Sequence, residues 1–168
     1  AQASDRLEAR LFCTLASIPS VIGVEIGLGF AVGSLPGTEV HDSIQPDPTA
    51  WAGIGRSSNR SGGIEGGLTN GQAILLRAAL KPIPTLRHGV PSVDMASGTA
   101  SRATYERSDV CVVFPAAVVG EALLCLELAS ALLARTGGVS LAEMRRRFAD
   151  LGRDADPRSW PEEIGSLR

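Results

Sequence analysis

Three groups of residues in this chain have types and spacings suited to chemistry on a flat, negatively charged ligand. The first is the run Gly62-Gly63-Ile64-Glu65-Gly66-Gly67-Leu68-Thr69-Asn70-Gly71, in which five of ten residues are glycine. Repeated glycine admits positive φ and leaves backbone N–H groups uncovered, so such a run can lie against a phosphate or a planar ring. It is not a P-loop, because no Gly-Lys-Ser/Thr follows. It is not a dinucleotide fingerprint either, because the glycine spacing differs. The same run also suits a flexible hairpin loop that turns at Asn70-Gly71.

The second group is Lys81-Pro82. Lys81 is the one lysine among 16 Lys and Arg residues. A chain that uses arginine almost everywhere, yet keeps lysine directly after an apolar segment, suggests a compact point charge wanted there. A solvated lysine at a strand end is the plainer alternative. The third group is Arg107-Ser108-Asp109, ahead of the apolar Val110-Cys111-Val112-Val113. Arginine offers a planar fork to phosphate, and an aspartate in a suitable setting accepts or relays a proton. A capping residue with a local ion pair would read the same way. His41 and His88 lack the spacing of metal ligands and are expected to be ordinary surface histidines, with no metal site.

Elements must hold these groups in place. Asp5 with Glu8 resembles a helix start, and Leu7, Leu11, Phe12 and Leu15 follow at helical spacing until Pro19. Residues 21–32 alternate as a strand, with one greasy face and one nearly bare face of Gly27, Gly29 and Ala31. Residues 33–61 read as a long loop, 73–80 as a second strand, and 83–106 as irregular with a short strand near 92–95. Residues 116–134 form the strongest helix, apolar almost all round and therefore expected to be central. Glu121 and Glu127 within it argue for a buried helix of a soluble protein and against a membrane span. Gly137-Gly138 ends that helix, and Ser140 with Glu143 caps a last one through about Leu151.

With 168 residues, 44% of them hydrophobic, the chain suits one globular domain. A net charge of −2 and 4% aromatic content speak against nucleic-acid binding. Cys13, Cys111 and Cys125 are far apart in apolar stretches, so they are expected to be buried small hydrophobes in a reducing, cytoplasmic setting. Residues 153–168 read as a polar tail, expected to be disordered.

Four stretches in order resemble the chorismate synthase family: Ser17-Ile18-Pro19-Ser20-Val21-Ile22-Gly23-Val24-Glu25-Ile26-Gly27, Asn59-Arg60-Ser61 leading into the glycine run, Lys81-Pro82, and Arg107-Ser108-Asp109. The resemblance covers about residues 5–150 and treats 1–152 as the C-terminal portion of such a domain. It implies an α+β fold, part of a sandwich with helices between antiparallel sheets, assembled as a homotetramer. The implied reaction is 1,4-elimination of phosphate from 5-enolpyruvylshikimate 3-phosphate to give chorismate, in the shikimate pathway, with reduced FMN required. Reduction of the flavin by NADPH on the enzyme or by a separate reductase both remain open.

The resemblance further implies flavin contacts at Pro19, Ser20, Gly66, Lys81, Pro82, Ile83, Pro84, Thr85 and Arg107. Arg107 would also lie near the substrate phosphate, and Asp109 near flavin N5, where it would assist a proton. The family's two catalytic histidines and its Arg-rich segment have no match in these residues, and His41 and His88 do not correspond to them. Val113-Phe114-Pro115-Ala116-Ala117 departs from the family's usual Val-Pro-Ala-Ala. The chain is therefore expected to be a piece of a longer protein, inactive or weakly flavin-binding alone, with a binding module or an oligomerisation fragment as the alternative readings.

Overall fold

The computed structural model describes residues 5–50 and 53–154. Helix α1 (Leu7–Ala16) runs into strand β1 (Val21–Ile26), which pairs antiparallel with β6 (Leu76–Leu80). Leu11 and Leu15 on α1, one helical turn apart, are buried, and Ile18 beyond the helix end joins them. Ile64, from the glycine run, completes the buried apolar set. A bulge between Val21 and Gly23 shifts the β1–β6 register and turns Ile22 outward, 71% exposed.

The expected strand over 21–32 ends early. Gly27 and Gly29 have φ of +55° and +56°, which stops the ladder at Ile26, and a 3₁₀ helix follows over Gly29–Ser34. Gly27 is needed for a second reason. A Cβ there would lie 2.0 Å from the Arg60 carbonyl oxygen, so the two backbones touch where the expected bare strand face allowed a close approach.

The expected loop over 33–61 carries structure of its own. It holds a short helix α2 (Gly37–Val40) and the antiparallel pair β2 (Ile44–Pro46) and β3 (Ile54–Arg56). The second expected strand is shorter than its pattern, since only Leu76–Leu80 finds a partner in β1. A two-residue pair joins β4 (Ile64–Glu65) to β5 (Leu68–Thr69). The short strand near 92–95 is present as β7 (Pro91–Val93), paired with β8 (Ala100–Arg102). Among the described residues the architecture is mixed: helices with four small two-stranded antiparallel sheets.

Helix α3 (Val113–Thr136) packs along α1. Gly120 lets the helices approach, because a Cβ there would sit 3.2 Å from Leu15 Cδ2 and 3.5 Å from Ile18 Cδ1. Further along the same stripe Glu127 is ion-paired to Arg10, which also donates to Ser130 Oγ at 3.2 Å. The expectation of a central α3 is corrected: Gly120 and Thr136 are its buried residues, while Phe114, Val118 and Leu126 are exposed. By length and composition α3 could cross a membrane, yet it carries the Glu127 pair to α1. Its surface is open because α1 covers one strip and α4 meets its last turn, where Arg147 Nη1 donates to the Thr136 carbonyl at 3.0 Å, while Phe114, Val118 and Leu126 stay bare.

The cysteine expectation fails as well. Cys13, Cys111 and Cys125 are all exposed free thiols. Val110 beside Cys111 and Leu126 beside Cys125 are exposed as well, whereas Cys13 lies on α1 away from its buried Leu11–Leu15 face.

Helix α4 (Leu141–Asp154) starts as expected. Glu143 N–H donates to Ser140 Oγ at 3.2 Å, and Glu143 Oε2 accepts from Val139 N–H at 3.1 Å. It extends three residues past the expected end at Leu151, across the expected start of the polar tail. Residues 155–168 of that tail lie outside the described residues.

The α1–α3 contact gives a direct test. Gly120→Val places a branched side chain against Leu15 and Ile18 and is expected to cost about 1–3 kcal/mol. Urea denaturation of the two proteins measures it.

Candidate functional site

The residues singled out by type and spacing are organised by two hydrogen bonds. At the open end of the β1–β6 pair, Lys81 N–H donates to the Ser20 carbonyl at 2.7 Å. This joins Pro19-Ser20 to Lys81-Pro82. Ser20 has φ of +71°, and it is the only non-glycine residue with positive φ among the described residues. That conformation costs about 1–3 kcal/mol and persists where the surroundings fix it, often at a ligand site. Here the fixing partner is the Lys81 amide.

The second bond joins Thr85 Oγ1 and Ser108 Oγ, 2.9 Å apart. It ties the end of the Lys81-Pro82-Ile83-Pro84-Thr85 segment to the Arg107-Ser108-Asp109 segment. Nine expected site residues thus form one connected group. Lys81, Arg107 and Asp109 are exposed, and none of their side chains has a hydrogen-bond or ion-pair partner among the described residues. Several other arginines are ion-paired: Arg10 with Glu127, Arg56 with Glu65, Arg77 with Glu25 and Arg147 with Glu143.

Gly66 lies apart from that group. Gly66 and Gly67, with φ of +58° and +86°, form the two-residue turn between β4 and β5, as a type I′ hairpin requires. The turn is therefore not Asn70-Gly71. Asn70 N–H instead donates to the Gly63 carbonyl, and its Oδ1 accepts from Gln72 N–H at 3.0 Å. A Cβ on Gly66 would meet nothing within 4 Å, so open space adjoins it. One on Gly67 would sit 3.7 Å from Glu8 Oε2 at the start of α1. Ser20 and Lys81 lie beyond the other end of α1, a helix about 15 Å long.

Sequence reasoning missed Asp42, the centre of the polar framework. Its Oδ1 accepts from Ser58 Oγ at 2.5 Å and from Arg60 N–H at 2.8 Å. Its Oδ2 accepts from Ser61 N–H at 2.9 Å and Ser61 Oγ at 2.8 Å. Burial pushes this carboxyl up, but the Ser58 hydroxyl and the Arg60 and Ser61 amides outweigh it and hold it well below the usual carboxylate range. The network continues to Glu65, which pairs with Arg56 Nη2 at 2.8 Å and is itself held below its ordinary value, chiefly by that guanidinium. Arg56 is correspondingly raised by its bond to Glu65. Nothing local marked Asp42, because its partners lie 16–19 residues further along the chain.

A hollow of about 520 Å³ opens between α1, β1, the 3₁₀ helix and residues 60–65, with His41, Asp42 and Arg60 on its wall. Gly66, Lys81 and Asp109 do not line it. His88 is exposed at the β7–β8 end, where its carbonyl accepts from Arg102 Nη1 at 3.0 Å.

Comparison with known proteins matches this chain, in sequence and in fold, to one family. The chorismate synthase family model matches residues 1–133. The chorismate synthase of Geobacter sulfurreducens is 52% identical over 148 residues, which cover 85% of this chain and 38% of that protein. That of Desulforamulus reducens is 50% identical over 143 residues, covering 85% and 36%. A crystal structure of a chorismate synthase superposes with a TM-score of 0.73 at 37% identity, covering 92% of this chain and 38% of the other. The chain thus spans less than two-fifths of these relatives' length.

The Asp42 framework predicts a pH signature. Asp42→Asn places an amide NH₂ against backbone N–H donors that cannot reverse, costing about 1–3 kcal/mol. The folded-state pKa of Asp42 lies below the unfolded value of about 4, so its stabilisation is complete above that value and is lost as pH falls through the folded one. Urea denaturation should therefore show a constant gap between native and variant proteins from about pH 8 to 5, narrowing only below about pH 4.

Proposed function

This chain belongs to the chorismate synthase family, and from that premise we propose that it supplies the flavin-facing part of an enzyme converting 5-enolpyruvylshikimate 3-phosphate to chorismate and phosphate. The observation that carries the reading is the connected group at Ser20, Lys81–Thr85 and Arg107–Asp109. It combines a strained backbone turn with three exposed charges that no described residue neutralises. The donor set fits reduced FMN: two cations for an anionic ring or phosphate, and a backbone bent at Ser20 where a flat body can approach.

The flavin, when bound, supplies transient electron density to a 1,4-elimination with no net redox change. The chain's own residues do the rest. Arg107 offers its guanidinium fork to phosphate as negative charge grows on the leaving group. Lys81 holds a point charge at the strand end, placed by the bond from its amide to Ser20. Asp109, an exposed carboxylate two residues from Arg107, holds or relays the proton that must move near the ring. Gly66 stands at a separate turn beside open space. Its contribution to the seat is across a distance that the remaining part of the enzyme, or a neighbouring subunit, would bridge.

In this reading the bare face of α3 is the inner layer of a sandwich whose second sheet comes from the rest of the enzyme, and the assembly is a homotetramer. The exposed Phe114, Val118 and Leu126 favour it, since an uncovered apolar face of this kind marks an interface. The chain alone is then expected to give no chorismate. Reduced flavin supplied to the chain together with the missing portion of its relatives is expected to restore turnover.

Asp109→Asn in that completed protein should lower turnover about 100-fold or more while leaving flavin affinity within a few-fold. Stopped-flow turnover and a flavin fluorescence titration measure the two quantities. Unchanged turnover would assign the group to binding alone.

A further inference from the structure

Between β8 and α3 the chain runs through residues 103–112 without helix or strand, and Arg107-Ser108-Asp109 lies in the middle of that span. The two ends of the span are held. Ala103 N–H donates to the Val90 carbonyl at 3.0 Å, and α3 begins at Val113. In between, the contact of Ser108 Oγ with Thr85 Oγ1 at 2.9 Å is the one hydrogen bond that residues 104–112 make to the 81–90 segment among the described residues.

What this bond can do depends on how firmly Thr85 is held. The Lys81 amide is bonded to the Ser20 carbonyl at 2.7 Å, which fixes one end of the 81–85 segment on the β1–β6 pair. Pro82 and Pro84 each fix their own φ near about −65°, and each narrows the residue before it, Lys81 and Ile83. Residues 81–84 are therefore a stiff strut that carries the Thr85 hydroxyl at its far end. A hydroxyl pair open to water is a modest restraint when both partners are free. Here one partner is already ordered, so closing the pair costs the entropy of the other side alone.

Pinning Ser108 also pins its neighbours, because the Cα atoms of Arg107 and Asp109 each lie about 3.8 Å from its own. Neither of those side chains has a hydrogen bond or ion pair among the described residues that would place it independently. We propose that Ser108 is a positioning residue, whose bond to Thr85 sets the Arg107 guanidinium and the Asp109 carboxylate relative to Lys81. The role rests on the flavin reading of this site for what is positioned, whereas the latch itself rests on the strut and the hydroxyl pair. Order then passes from the paired strands through Ser20, Lys81 and the two prolines to Thr85, and from Thr85 across one bond to the acid and the cation.

Relaxation of ¹⁵N in the full labelled chain reads the latch without any flavin. The Arg107, Ser108 and Asp109 amides should have order parameters near the rigid value of about 0.85 in the native chain and in Ser108→Thr, which keeps the hydroxyl. They should fall below about 0.6 in Ser108→Ala and in Thr85→Val. The double variant should loosen these amides no further than either change alone, because both remove the same bond. Ser108 is exposed, and unshifted amides elsewhere verify that the variants fold. In the completed protein, Ser108→Ala should lower kcat about tenfold with KM and reduced-flavin affinity within about twofold, and Ser108→Thr should restore kcat. Order parameters at 107–109 that Ser108→Ala leaves unchanged overturn the proposal, as does a fall in kcat that Ser108→Thr does not restore. Loosened amides alongside a completed protein that binds no reduced FMN would retain the latch and overturn the flavin reading instead.

Discussion

The close approach of two backbones, at Gly27 and at Arg60–Gly62, is the constraint on which the rest of the structure depends. A Cβ on Gly27 would lie 2.0 Å from the Arg60 carbonyl oxygen, and one on Gly62 would lie 2.4 Å from the Gly27 nitrogen. Only glycine at both positions permits the contact. Leu28 N–H then donates to the Arg60 carbonyl at 2.8 Å, and Leu75 N–H donates to the Gly62 carbonyl at 3.1 Å. Asp42 holds the far side of the same loop with four hydrogen bonds. The end of β1, the start of the glycine run and the approach to β6 are thereby locked together. Glycine lets the chains meet, and the carboxylate keeps them there.

That lock has consequences at both ends of the β1–β6 pair. At the Ile26 end it fixes the wall of the hollow and sends the chain into the Gly66-Gly67 turn. At the Val21 end, the register it helps to set brings Leu80 opposite Val21, and so delivers the Lys81 amide to the Ser20 carbonyl. The positive φ of Ser20 is tolerable because that bond rewards it. A shift of register by one residue would move the Lys81 amide off this carbonyl and reverse the faces of the strand. The strained turn, the lone lysine and the paired strands are therefore one arrangement.

What the sequence disclosed, and what it hid, follows from the range of each interaction. The helix at Leu7–Ala16, the capping box at Ser140–Glu143 and the strand cores were legible because their signals lie within a turn or a pleat. The four motifs of the family resemblance were legible as ordered strings. The early end of β1 was not, because glycines that look like a bare strand face are used at positive φ to turn the chain. The choice of Gly66-Gly67 over Asn70-Gly71 was equally hidden, since both pairs suit a tight turn and only the pairing of Ile64 with Thr69 decides between them. Asp42 was invisible for the same reason: its partners are remote, and aspartate in a Pro- and Ser-rich stretch has no local peculiarity.

The errors over α3 and the cysteines have a different origin, and they separate two kinds of completeness. Polar groups can be satisfied by a few atoms at short range, so the Asp42, Glu65 and Glu25 networks close within this chain. Apolar surface needs area, and area must come from another layer. Helix α3 has the composition of a helix covered all round, yet α1 gives it one strip through Gly120, and Cys125 is left in the open. The chain spans less than two-fifths of its relatives' length, and among its described residues the polar networks close while much of α3 stays exposed. Composition measures what a segment needs for burial, whereas exposure measures what the described elements provide, and at α3 the two differ most visibly at Phe114, Val118 and Leu126.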